Sequence, residues 1–166
     1  SSITVTFSSG SSSGNVTVFG FNNGCNGASS SLGISVIAPI LVSGIQTFSN
    51  TAGITINDNS AATPYPSTIT VSGLTGLLMK DVNVVINGIS HTFPDDIDIM
   101  LESPTGQRVT LMSDCGGGTD LINTNITFND SAASNLPDAT VIASGSFKPT
   151  NIGSPDTYIS PGPGSF

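Results

Sequence analysis

Nowhere in this chain do apolar residues recur at helical spacing; they come in short alternating runs cut by Gly, Pro, Asn or Asp. Alternation with period two is the mark of a strand with one buried face, and such punctuation ends strands in turns. Ile3, Val5 and Phe7 alternate with Thr4 and Thr6; after "SSGSSSGN", Val16 and Val18 alternate with Thr17 and Phe19. A hairpin between these two runs is the simplest expectation. In "LGISVIAPILVSGIQTF", Ile34 and Val36 precede Pro39, which lacks the N–H that a central strand must donate, so a boundary is placed there. Further strands are expected at 67–72, 80–89, 96–103, 107–112, 121–129 and 139–147. Many short strands at close spacing predict an all-β fold, a jelly-roll β-sandwich.

Charge narrows the function classes. The 166 residues carry three basic side chains (Lys80, Arg108, Lys148) against eleven acidic ones, a net charge of −8. Nucleic-acid binding needs clustered Lys and Arg, so it is not expected. Attraction to anionic membranes fails for the same reason. No apolar run approaches the roughly 20 residues that span a bilayer, and no charged leader opens the chain. Residues 1–57 hold no Asp, Glu, Lys, Arg or His, whereas every charged group falls between positions 58 and 156. Two compositional halves follow.

The stretch "HTFPDDIDIMLESPTG", residues 91–106, gathers the single histidine, three aspartates and a glutamate. A catalytic triad would need a nucleophile within reach of His91. Ser90 adjoins it, but neighbours on a strand point to opposite faces, so a packed or hydrogen-bonded histidine at a strand end is expected and no catalytic residue is assigned. A metal suits the acids better. Asp95, Asp96 and Asp114 are hard oxygen donors, and Asp114 and Asp120 flank the Gly-rich "SDCGGGTD", whose carbonyls could add oxygens for calcium. Zinc would want His and Cys clusters, and the spacing is not that of an EF-hand. The competing reading is that these acids are solvated, since Ile97, Ile99 and Leu101 are expected to face the core and Asp98 and Glu102 the solvent. "SPTG" reads as a hairpin turn with Gly106 at positive φ. "CGGGTD" lacks the lysine and the following helix of a phosphate loop.

The order "PYPSTITVSGLTG", "VNVVINGISHTFPDDIDIMLESPTGQRVTLMSDCGG", "NITFNDSAASNLPD" and "SGSFKPTN" resembles the P domain of subtilisin-like proprotein convertases, in the version found in bacterial secreted proteins. The resemblance covers about 100 residues and implies a jelly roll at 45–166, and some P domains bind calcium. Residues 1–38 resemble the last strands of a bacterial immunoglobulin-like or PKD-like repeat, with 39–44 as linker. Against these families the early strands of the first module and the closing Trp strands of the second are expected to be missing. Either they lie elsewhere in a longer polypeptide, or strands are exchanged between copies.

Several further expectations accompany the resemblance. Cys25 and Cys115 either pair with each other or find partners in those missing strands. Asn15-Val16-Thr17, Asn125-Ile126-Thr127 and Asn129-Asp130-Ser131 fit the N-glycosylation sequon, and Asp130-Ser131-Ala132 is similar to the short O-glycosylation motif of secreted Bacteroidetes proteins, many of which leave by a type IX route. The expected function is that of a non-enzymatic module at a bacterial cell surface or outside the cell, acting in adhesion or filament assembly. Its partners would be other copies of itself, neighbouring domains, or surface glycans and proteins. The alternatives are an accessory P domain stabilising a secreted protease, and a calcium-dependent glycan- or protein-binding module.

Overall fold

A computed structural model describes residues 4–6, 11–22, 25–36, 44–57, 60–74, 77–153 and 155–166. Among the described residues the fold is all-β, with one short 3-10 turn, and the chain divides into two units: Ser1–Ile45 with Ser72–Leu78, and Gln46–Val71 with Met79–Phe166. Residues 39–43 of the expected linker lie outside the described residues.

The first unit contains an antiparallel pair, β1 (Gly14–Asn22) and β2 (Cys25–Ile34). Val16 stands opposite Leu32, Thr17 opposite Ser31 and Val18 opposite Ser30. The Ser13 hydroxyl extends the pair, accepting from Val36 N–H at 2.8 Å. This corrects the expected hairpin between Ile3–Phe7 and Val16–Phe19: the partner is "CNGASSSLGI", and Thr4, Val5 and Thr6 are not in a strand. The rest of the expected first strand, Ile3 and Phe7, lies outside the described residues. A ladder needs only backbone, so a Ser- and Gly-rich segment can be a strand without an alternating apolar pattern.

The second unit is a sandwich of two three-stranded sheets. One has the order β3 (Val84–His91), β6 (Leu121–Phe128), β7 (Gly145–Phe147); the other β4 (Ile99–Glu102), β5 (Arg108–Ser113), β8 (Thr150–Asn151). Each joins an antiparallel pair to a short parallel strand. The core between them holds Ile89, Leu121, Ile126 and Phe128 from the first sheet and Leu111 and Met112 from the second, with Ile97, Cys115, Leu136 and Ile142 from connecting segments. Burying each large apolar side chain contributes about 1.5–3 kcal/mol, which is what holds sheets with such short outer strands together. A last hairpin, β9 (Thr157–Tyr158) with β10 (Gly164–Ser165), places the Tyr158 hydroxyl 3.3 Å from Thr110 Oγ1 on β5.

Two irregularities set which residues of the β3–β6 pair point inward. Ile86 pairs with Ile126 but Ile89 with Thr124, an extra residue on β3; then His91 pairs with Leu121, an extra residue on β6. The two bulges offset each other, so the register recovers while apolar parity switches from Val84 and Ile86 to Ile89. Asn123 takes φ 49° in the second bulge, its N–H donating to Ser90 Oγ at 2.9 Å, and Asn125 Oδ1 accepts from Gly88 N–H in the first at 2.8 Å.

Residues 67–72 form no strand, contrary to expectation. Asn50 Nδ2 donates to Thr68 O at 3.1 Å and Ser67 Oγ at 3.3 Å, and both apolar residues of the run, Ile69 at 50 % and Val71 at 53 %, are exposed. The alternation there has no sheet to pack on. Of 139–147 only the last three residues are strand, although Ile142 still reaches the core from an irregular segment.

Candidate functional site

The acidic stretch is organised by a 3-10 turn, Pro94–Asp96, opened by Pro94 in the position that lacks a donor anyway. Ile97 follows, buried, and its neighbour Asp98 projects the other way. Ile99 and Leu101 are half-buried against the core, as alternation predicts. Asp98 is exposed as a residue, yet packing shuts part of its carboxyl group off from water, and Oδ1 accepts from the buried Ser113 Oγ at 2.8 Å.

At the far end of β5, Asp114 turns the chain with φ 51°, and Asp156 arrives from the segment before β9. Asp98, Asp114 and Asp156 each place a carboxylate oxygen within 4.8 Å of the others. Like charges at that separation repel by about 1 kcal/mol in bulk water and several times that near a protein surface. Desolvation, followed by the charge of Asp156 and then Asp95, holds the Asp114 carboxyl above the usual aspartate range. Asp98 is raised as well, first by desolvation, with Ser113 opposing and the charges of Asp156 and Asp114 adding. Asp156 Oδ2 is buried without a hydrogen-bond partner among the described residues. Gly153 (φ 83°) backs the cluster so closely that a Cβ there would lie 3.0 Å from Asp114 Oδ2.

Of the expected ligands, Asp114 is in this group. Asp95 and Asp96 remain in the 3-10 turn, near enough to act on Asp114 by charge but outside the set that converges. Three carbonyls of the Gly-rich stretch accept backbone hydrogen bonds: Gly117 O from Asp95 N–H, Gly116 O from Thr119 N–H, and Ser113 O from Ile152 N–H. The donor set that does converge is three carboxylates. Such a set fits a hard cation such as calcium, which takes six to eight oxygens in irregular geometry; the orphaned Asp156 oxygen is the one that most needs a positive partner.

His91 Nδ1 lies 2.8 Å from Phe93 O and 3.2 Å from Phe93 N, so the ring closes a local turn whichever tautomer it adopts. Ser90 Oγ is turned to β6. Cys115 is a fully buried free thiol whose Sγ is 3.0 Å from Ser113 O; burial pushes its pKa up to about 11.

Two apolar surfaces stay open. On β1–β2, Val16, Val18, Ser30 and Leu32 share a face with Val5 beside them, around a hollow of about 200 Å³. Leu32 is 66 % exposed and Val18 41 %. In the second unit, Met79, Val82, Val84, Leu101, Val109 and Phe128 line a groove of about 350 Å³ at the end of the sandwich opposite the acids. No family model matches this chain, and neither the curated proteins nor the solved structures hold a match to it.

Proposed function

We propose that this chain is a non-enzymatic extracellular module of a large surface or filament-forming protein, acting in adhesion or assembly through β-strand addition between copies. The observation that carries this reading is the β1–β2 hairpin. Two strands alone are marginal in water, and this pair presents Val18 and Leu32 to solvent without a covering strand among the described residues. Edge strands that must stay single are normally blunted by charge, and residues 1–57 have none. Strand addition at the edge of this pair would satisfy the open ladder. The resemblance of the second unit to P domains supports a jelly-roll topology and a secreted setting. Amide hydrogen exchange tests the reading: protection of β1 and β2 should rise with protein concentration while that of β5 and β6 stays constant. Concentration-independent exchange in the hairpin would refute it.

A second reading, a calcium-dependent binding module for glycans or proteins, is favoured by the buried, unpartnered Asp156 Oδ2 beside Asp98 and Asp114. Calcium held by these three side chains would offset their mutual repulsion and fix the start of β4, the end of β5 and the approach to β9. A melting temperature that rises with calcium and falls with EGTA supports it; an unchanged one removes it.

A further inference from the structure

The three glycosylation sequons occupy different structural settings. Asn15 and Thr17 lie within β1, and Thr17 Oγ1 donates to Ser31 Oγ across the ladder at 3.5 Å. Asn125 and Thr127 lie within β6, the central strand of its sheet, and Asn125 Oδ1 is held by Gly88 N–H. A glycosyltransferase must draw the acceptor tripeptide into its own cleft, which for these two means breaking a ladder.

Asn129 differs. It follows the last residue of β6, and the chain turns at once: Asn129 Oδ1 accepts from Ser131 N–H at 2.8 Å and Asn129 O from Ala132 N–H at 3.0 Å. Only its own N–H still reaches the sheet, donating to Phe147 O at 2.9 Å. Asn129 is half-buried while Asp130 and Ser131 are exposed, and Ser131 Oγ points back to Asp130 Oδ1 at 3.3 Å. With Oδ1 committed to the turn, Nδ2 is left without a partner among the described residues. An exposed turn with an available carboxamide nitrogen is the setting that an N-linked acceptor requires.

We propose that Asn129 is an acceptor site for an N-linked glycan. In the transfer, Asn129 Nδ2 bonds to the anomeric carbon of a lipid-pyrophosphate-linked sugar, the bond from that carbon to the pyrophosphate oxygen breaks, the lipid pyrophosphate leaves, and the Nδ2 proton passes to a base of the transferase. Asp130 lines the apolar groove, so the glycan would stand at the rim of that exposed surface.

The inference rests on the extracellular reading only in requiring passage through a glycosylating compartment, and routing the chain there deliberately separates the two. The full chain is secreted from a host with an asparagine-linked pathway, and intact mass and glycopeptide mapping are compared before and after an amidase that cleaves glycan from Asn. The expected result is an amidase-sensitive mass at Asn129 that is lost in both Asn129→Gln and Ser131→Ala and kept in Thr17→Ala and Thr127→Ala. An unmodified chain, a glycan on Ser131 Oγ, or occupancy of Asn15 or Asn125 in place of Asn129 would overturn it.

Discussion

The hydroxyl of Ser113, fully buried at the end of β5, donates to Oδ1 of Asp98 at 2.8 Å and so ties the start of one strand to the end of its neighbour. It acts against the desolvation that raises Asp98, and a side-chain hydrogen bond from Ser113 opposes the rise of Asp114 in the same way. Ser113→Ala removes the donor and leaves the carboxylate less solvated than in water. Hydrogen bonds to charged groups contribute about 1.5–3 kcal/mol, so a loss near the lower figure is expected in urea unfolding at neutral pH.

The pH dependence has an unusual sign. Asp98 and Asp114 are raised above 3.8 in the folded state, so over the interval between 3.8 and their folded values the native protein binds more protons than the unfolded chain. Their contribution is destabilising above that interval and is relieved as pH falls through it. The metal-free protein should therefore melt higher at mildly acidic pH than at pH 7. Asp98→Asn, which keeps an oxygen for Ser113, should raise the melting temperature at pH 7 and flatten the profile.

Gly116 has φ 87°, and a Cβ there would lie 2.9 Å from Ile142 Cδ1 and 3.2 Å from Pro94 Cβ. Gly106, at φ 82° in the β4–β5 turn, would meet nothing within 4 Å. Gly106→Ala should cost about 1 kcal/mol for the backbone alone, whereas Gly116→Ala adds overpacking of about 1–3 kcal/mol. Denaturant midpoints of the two variants separate these contributions.

Cys115 should resist alkylation in the native protein, because its thiol is buried and its pKa lies near 11. Labelling with iodoacetamide, mapped by mass spectrometry, is expected to reach it only in denaturant.

What could be read from the sequence follows the length of the pattern. β3 and β6 carry eight residues each, long enough for a strand pattern to show despite their bulges, and the inward set Ile97, Ile99 and Leu101 was legible because it alternates with Asp98 along the run that leads into β4. β8, β9 and β10 have two residues each, below any periodicity, and the parallel pairings of β7 and β8 depend on partners far along the chain. β2 carries little apolar pattern, yet Asn23-Gly24, between the paired Asn22 and Cys25, is the dipeptide favoured in two-residue hairpin turns and was its available signal. The acidic stretch pointed to Asp95 and Asp96 because they are adjacent. Asp156 lay outside it, and only the fold brings that side chain to Asp98 and Asp114.

Strand addition at the β1–β2 face is tested most directly by light scattering of the full chain across a concentration series, beside Leu32→Lys. Leu32 is exposed and opposite Val16, so the substitution places a charge on the apolar face without disturbing a packed core. The account predicts a mass that grows with concentration in the parent chain and stays at 16.7 kDa in the variant. A parent chain that remains at the monomer mass throughout, or a variant that assembles equally well, would contradict it.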